Sequence, residues 1–183
     1  MSNEFYAHGQ DHAGIETVIR LQAVKRWHMI DTTRQQTLAE HSANVALLVW
    51  YIAVTSPDMF FGPASHVTAA ALLHDIPEVF TGDIPSHTKK HLHGIDELEA
   101  SVTPAEFIYT HMLPRMMDLI KFADLADGIR FIRLHGVDVT ARHAREQLEV
   151  KFTALTEKLR KEWPRHIEDH VRRNMYFYAY EQS

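Results

Sequence analysis

No stretch of this chain alternates apolar and polar residues over the length of a strand. Apolar residues recur instead at helical spacing, in segments separated by glycine and proline. That pattern points to an all-α protein. Residues 13–25 predict a first helix, with Ile15, Val18, Ile19 and Gln22 at helical spacing. Residues 38–55, LAEHSANVALLVWYIAVT, predict a second and strongly apolar helix that ends before Pro57. A third covers 65–79 with Ser65 as its N-cap, and Gly82 and Pro85 break the chain after it. A short turn or helix covers 86–93. Residues 96–112 and 115–134 form a pair of helices around Pro114, the second closed by Gly136. Residues 139–162 have high helix propensity, and Pro164 suits the first turn of a last helix over 164–180. The expected architecture is a compact orthogonal helical bundle, one domain spanning 1–183.

The chain has 183 residues, 45% hydrophobic and 23% charged, which is the profile of a soluble globular domain with a sizeable core. A net charge of −5 offers no broad basic surface for polymeric nucleic acid or a membrane, although a local basic pocket remains compatible with it. Cysteine is absent, so disulfides and thiolate metal sites are excluded. The N-terminal MSNEFYAHGQDH is polar and lacks the apolar region of a signal peptide. No apolar run is expected to reach the ~18 residues of a membrane span, and a cytoplasmic protein is expected. The 14 histidines are many for this length and are not gathered in one run.

The segment ALLHDIPEVFTGDIP, residues 71–85, places His74 and Asp75 directly after an apolar run, with Glu78 and Asp83 just beyond. Burying a neutral polar group unpaired costs on the order of 2–7 kcal/mol, and a charge costs more. Something must compensate these groups. On a continuous helix His74 and Glu78, at i and i+4, share a face, and Asp75 is rotated from His74 by about 100°. Imidazole beside carboxylate can ligate a divalent ion such as Mn, Co, Fe, Zn or Ni. Alone, the pair reads more readily as a helix end whose polar residues cap and hydrate. His41, early in an apolar helix after Glu40, reads alone as a core histidine. Asp124, three residues after Lys121 in another apolar helix, reads alone as a salt-bridge partner. In the order His, His-Asp, Asp, on three separate helices, they supply four ligands that can converge and leave coordination positions open for water and substrate.

These words taken together, RWH at 26–28, AEHS at 39–42, LLHDIPEVFTGDIP at 72–85 and KFAD at 121–124, resemble the HD-domain metal phosphohydrolases. The resemblance is to their small nucleotide-hydrolysing branch, which includes bacterial 5′-deoxynucleotidases and phage dATP triphosphohydrolases. It covers the first two-thirds of the chain; the last third carries no motif. It implies one catalytic divalent ion, its identity open, held by His41, His74, Asp75 and Asp124. It implies Glu78 as the catalytic acid or base and Asp83 as a catalytic contact to the sugar or leaving oxygen. For Glu78 the alternative is a carboxylate steadying a ligand histidine, and for Asp83 a turn or N-cap.

Substrate residues follow in the same way. Arg26, Lys121 and Lys89, with Lys90 competing for the last role, suit the phosphate; solvated lysines are the alternative. By resemblance Trp27 packs on the deoxyribose and leaves no room for a 2′-hydroxyl, whereas a partly buried core tryptophan is the alternative. Met29 falls where the base edge lies. The resemblance thus implies a phosphohydrolase acting on 2′-deoxynucleotides, favoured as a dATP triphosphohydrolase, with a 5′-nucleotidase on monophosphates as the competing version. A nucleotide-sensing HD module is the non-enzymatic alternative, disfavoured by the intact ligand set and Glu78. A homo-oligomer in the cytoplasm, or in the host's if the source is a phage, is expected. The aromatic tail MYFYAY, at 175–180, suits either an interface or the core.

Overall fold

A computed structural model describes residues 13–56, 63–103 and 112–181. Its elements run α1 (Ala13–Arg20), β1 (Lys25–Arg26), β2 (Gln36–Thr37), α2 (Leu38–Thr55), α3 (Ala64–Leu72), α4 (Glu78–Thr81), α5 (Ser86–Lys89), α6 (Ile95–Val102), α7 (Pro114–His135), α8 (Val139–Glu162) and α9 (Arg165–Tyr176). A π-helical turn, Phe177–Glu181, extends α9. The architecture is all-α, as the helical spacing predicts.

Helix α7 is the axis of the fold. Leu119, Phe122, Ala123, Ala126 and Ile129 have no exposed surface, so the helix is covered on more than one side. Helices α2, α3, α8 and α9 and the π-helical turn all pack on it. The Phe122 and Phe152 rings stack at 4.4 Å between α7 and α8. On α2, His41, Val45, Val49 and Ile52 recur at helical spacing and are all buried, giving a stripe that faces this core.

Helix α2 is 18 residues long with a mean hydropathy of 1.2, enough by length and composition to cross a membrane, contrary to the expectation that no run reaches that length. It carries a buried histidine, and 44% of its residues are buried inside the protein.

Several boundaries differ from the sequence expectation. The helix expected over 13–25 ends at Arg20, and Lys25–Arg26 pair antiparallel with Gln36–Thr37. Two residues per strand are too few to show alternation. The third helix starts at Ala64 behind Pro63, so Ser65 is not its cap. It stops at Leu72 instead of running to 79. Pro77 explains this, since it has no N–H to offer the Leu73 carbonyl and its ring clashes with that carbonyl in a continuous helix. The chain instead takes tight turns, with the Ile76 N–H on Leu73 O and the Glu78 N–H on Asp75 O, both at 3.1 Å. His74 and Glu78 are therefore not on one helix. Pro164 is the N-cap of α9 and not a residue of its first turn. Residues 104–111 of the expected 96–112 helix lie outside the described residues; α6 ends at Val102.

Candidate functional site

The first ligand candidate is set by a helix cap. The Thr37 hydroxyl accepts the Glu40 N–H at 3.1 Å and starts α2, which puts His41 in its first turn, fully buried. His41 Nδ1 lies 2.6 Å from Asp127 Oδ2, so this nitrogen carries the hydrogen and donates it to the carboxylate. Nε2 then faces Asp124 Oδ1 at 3.2 Å and Asp75 Oδ2 at 3.6 Å. His74 is arranged likewise. Its Nδ1 donates to the Ala71 carbonyl at 2.7 Å, and its Nε2 lies 3.3 Å from Asp75 Oδ1.

Both Nε2 atoms are buried and have no hydrogen-bond partner. One ligand atom each from His41, His74 and Asp124 lies within 4.8 Å of the others. Two imidazole lone pairs aimed at carboxylate oxygens cannot satisfy each other, and a cation between them satisfies all. The donor set of imidazole nitrogen and carboxylate oxygen fits a divalent transition ion. The electrostatics agree. Burial and the Arg26 charge act to lower the His41 pKa, but Asp124, Asp127 and Asp75 outweigh them and raise it. Burial also opposes ionisation of Asp124, yet His41, Lys121 and Arg26 hold its carboxyl well below the usual range.

Of the other residues singled out from sequence, Arg26 and Lys121 meet this centre directly, through Asp124. Arg26 is 9% exposed, and its Nη2 lies 3.8 Å from Asp124 Oδ1. Its Nε and Nη1 are buried without partners. Lys121 Nζ pairs with Asp124 Oδ2 at 2.6 Å. Lys89 is tied at 2.6 Å to Glu99 of α6, whereas Lys90 is exposed. Glu78 opens the four-residue α4 with one carboxylate oxygen buried and unpartnered. Burial, together with the Asp75 and Asp83 charges, pushes its pKa up to about 9 against the pull of Arg26 and Lys89. Gly82, at φ +77°, takes the left-handed turn that a side chain would strain, and Asp83 after it accepts the Trp27 backbone N–H at 3.1 Å. The Trp27 ring lies parallel to Phe131, 8° between planes, with its edge against Gly128. Met29 is 65% exposed. Beside the centre a cavity of about 690 Å³ is lined by His74, Asp75, Lys121, Asp124 and Glu99, with Leu73, Met117 and Ile120 as apolar wall.

Sequence reasoning missed the residue that organises this group. Asp127 is 1% exposed and accepts four hydrogen bonds: from Gln36 Nε2 at 2.8 Å, His41 Nδ1 at 2.6 Å, Asn44 Nδ2 at 2.9 Å and the Tyr178 hydroxyl at 2.7 Å. The available signal was a second acid in an apolar helix, three residues after Asp124. Glu99 had no signal, because its helix looks solvent-facing in sequence.

A family model for 5′-deoxynucleotidase YfbR-like proteins matches residues 15–125, the span that holds every candidate ligand. The chain belongs to this family. This YfbR-like chain is 36% identical over 137 residues to the dATP triphosphohydrolase of cyanophage S-2L, covering 69% of this chain and 74% of that protein. It is 31% identical over 143 residues to the dATP triphosphohydrolase of Acinetobacter phage SH-Ab 15497, with 69% and 70% covered. The 5′-deoxynucleotidase YfbR of Salmonella arizonae is 35% identical over 72 residues, 38% of this chain and 36% of that protein. Its fold matches that of the cyanophage S-2L HD phosphohydrolase DatZ, bound to dA and one catalytic Zn2+ ion, with a TM-score of 0.73 at 24% identity over 91% of this chain and 96% of that one. The YfbR-like chain is an HD-type phosphohydrolase.

Two outcomes test the site. Replacing Asp127 by Asn removes the charge that fixes the His41 tautomer, so zinc affinity measured against a chelating dye should fall ~10–100-fold. Glu78 has a folded-state pKa near 9, above its ordinary 4.5, so the stability of its neutral form is intact below about pH 4.5 and is lost as pH rises toward 9. Thermal unfolding of the metal-free protein should therefore show Glu78→Gln matching wild type near pH 4.5 and increasingly more stable above it.

Proposed function

We propose that this chain hydrolyses the 5′ P–O bond of 2′-deoxynucleoside triphosphates, with dATP as substrate, releasing deoxyadenosine and triphosphate. The observation that carries this reading is a set of buried, unpartnered polar atoms about the ligand cluster: Nε2 of His41 and Nε2 of His74, grouped with Asp124 within 4.8 Å, Nε and Nη1 of Arg26, whose Nη2 lies 3.8 Å from Asp124, and Oε2 of Glu78, which feels the Asp75, Asp83 and Arg26 charges. They comprise ligands for a cation, donors for an anion and a carboxyl for proton transfer. The phage dATP triphosphohydrolases align with about two-thirds of the chain and the bacterial 5′-deoxynucleotidases with little more than a third, which supports the triphosphate.

His41, His74, Asp75 and Asp124 would hold one divalent ion, which when bound neutralises charge on the phosphate and activates water. Arg26, with Nε and Nη1 unpartnered, would donate to phosphate oxygens. Lys121, in the cavity wall, and Lys89, paired with Glu99 of that wall, would meet the outer phosphates. In the reaction, water adds to the α-phosphorus and the bond from phosphorus to O5′ breaks. Glu78, whose carboxyl is pushed toward its neutral form by burial and by the Asp75 and Asp83 charges, would give its proton to the departing O5′. Trp27 would lie against the C2′ face of the sugar, held there through Asp83, and Met29 would meet the base edge. The second reading, hydrolysis of deoxynucleoside monophosphates, draws on the pairing of Lys89 with Glu99 and of Lys121 with Asp124. Those pairings already set a carboxylate against each lysine, while Nε and Nη1 of Arg26 are unpartnered, enough for one phosphate.

Incubating the protein with dATP and separately with dAMP, plus Zn, Mn, Co or Mg, and following products by phosphorus NMR tests the reading. Triphosphate from dATP is expected. Orthophosphate from dAMP with no turnover of dATP supports the second reading instead. In the same assay His74→Ala should lose both metal and hydrolysis while the helical circular dichroism survives. Glu78→Ala should keep the metal and lose turnover by ~10²–10⁴-fold.

A further inference from the structure

Trp27 is the one described non-glycine residue with a positive φ, +60°. A bulky side chain in the left-handed region is a true outlier, and such strain persists only where the surroundings fix it. Three bonds do so. The Trp27 backbone N–H donates to Asp83 at 3.1 Å, its carbonyl accepts the Ile30 N–H at 2.9 Å, and its indole Nε1–H donates to Gln36 Oε1 at 2.8 Å.

The last bond belongs to a longer line. Gln36 is 1% exposed, in β2 opposite Arg26. Its other end, Nε2, donates to Asp127 Oδ2 at 2.8 Å, the same oxygen that receives His41 Nδ1. The amide can sit only one way round, because the indole N–H only donates and the carboxylate only accepts. One buried amide therefore spans from the indole to the carboxylate that orients a candidate metal ligand.

We propose that Gln36 is a positioning residue for sugar selectivity. It fixes the plane of Trp27 relative to the metal centre, so the exclusion of a 2′-hydroxyl depends on this polar line and not on indole packing alone. The inference rests on the reading above that Trp27 stands against the sugar. Gln36 touches neither sugar nor metal. Its loss leaves Asp127 with three donors, from His41, Asn44 and Tyr178, so selectivity and metal binding separate.

The test is Gln36→Met, which keeps length and removes both hydrogen bonds, compared with wild type and Trp27→Ala. The ratio of kcat/KM for dATP to that for ATP should fall about tenfold or more in both variants, because a freed indole no longer leaves a 2′-hydroxyl unpaired. Zinc affinity should stay within about threefold in Gln36→Met. In the metal-free protein, the Trp27 indole N–H, assigned by its loss in Trp27→Phe, should lose its protection from hydrogen exchange in Gln36→Met. An unchanged exchange rate overturns the proposal. So does a freed indole with an unchanged ratio, and so does a tenfold loss of zinc affinity. A ratio that Trp27→Ala leaves unchanged overturns the sugar reading itself, which separates that failure from failure of Gln36. Should Gln36→Met not fold, Trp27→Phe removes the same bond from the other side and must lower the ratio.

Discussion

The structure hangs on one buried carboxylate. Asp127 sits inside the central helix, where an unpaired charge would neutralise itself or prevent folding. It is ionised because four donors reach it. Burial opposes that ionisation, but the His41 hydrogen bond and charge and the Tyr178 hydroxyl outweigh it and lower its pKa. The donors come from β2, from two turns of α2 and from the C-terminal π-helical segment, so the carboxylate ties together segments some 140 residues apart on the chain (Gln36 to Tyr178). Tyr178 responds in kind, its hydroxyl pKa raised by burial and by the adjacent charge.

The other nitrogen of His41 is left unsatisfied as a consequence. With Nδ1 committed to Asp127, Nε2 has no role but to face Asp75 and Asp124. The tight turns that Pro77 imposes after α3 bring His74 to the same point with its own Nδ1 committed to a carbonyl. Burial and the acids that gather there raise the Glu78 pKa, and Arg26 stays charged among them. Burial works against Arg26, but Asp75, Asp124, Asp83 and Glu78 raise its pKa. The centre is therefore costly to stability and suited to chemistry, a combination that a purely structural polar cluster would not retain.

The segment from Arg26 to Gln36 serves this centre. Its far end is pinned to the last turns of α7 by the Thr33 N–H on the His135 carbonyl at 2.8 Å and by Arg34, which lies over the Phe131 ring, and to the start of α2 by the fork of Arg34 onto Glu40. Its near end is the strained Trp27, a conformation that costs on the order of 1–3 kcal/mol. A Cβ at Gly128 would meet the indole at 3.5 Å, an ordinary contact, and Leu148 of α8 more tightly at 3.2 Å, so the bare glycine serves the packing of α7 on α8 more than the ring. The aromatic tail is divided in the described structure, with Tyr176 and Phe177 exposed and Tyr178 and Tyr180 half-buried. Met175 and Ala179 are fully buried, and Tyr178 reaches Asp127.

By itself the sequence determined that the chain is helical and that His41, His74, Asp75 and Asp124 belong together. Helical periodicity is local, and an ionisable group inside an apolar run is visible wherever it stands. Glu78, Asp83, Arg26 and Trp27 were legible through the order of short words along the chain. Only the tertiary structure decided the rest. A proline inside LLHDIPEVF reads as a helix with a flaw until the turns show that it separates His74 from Glu78. Gln36, Asn44 and Tyr178 are ordinary polar residues in three unrelated segments, and nothing local marks them. They matter because packing brings all three, together with His41, within hydrogen-bond distance of one carboxylate, and hydrogen bonds between distant segments leave no period in a sequence.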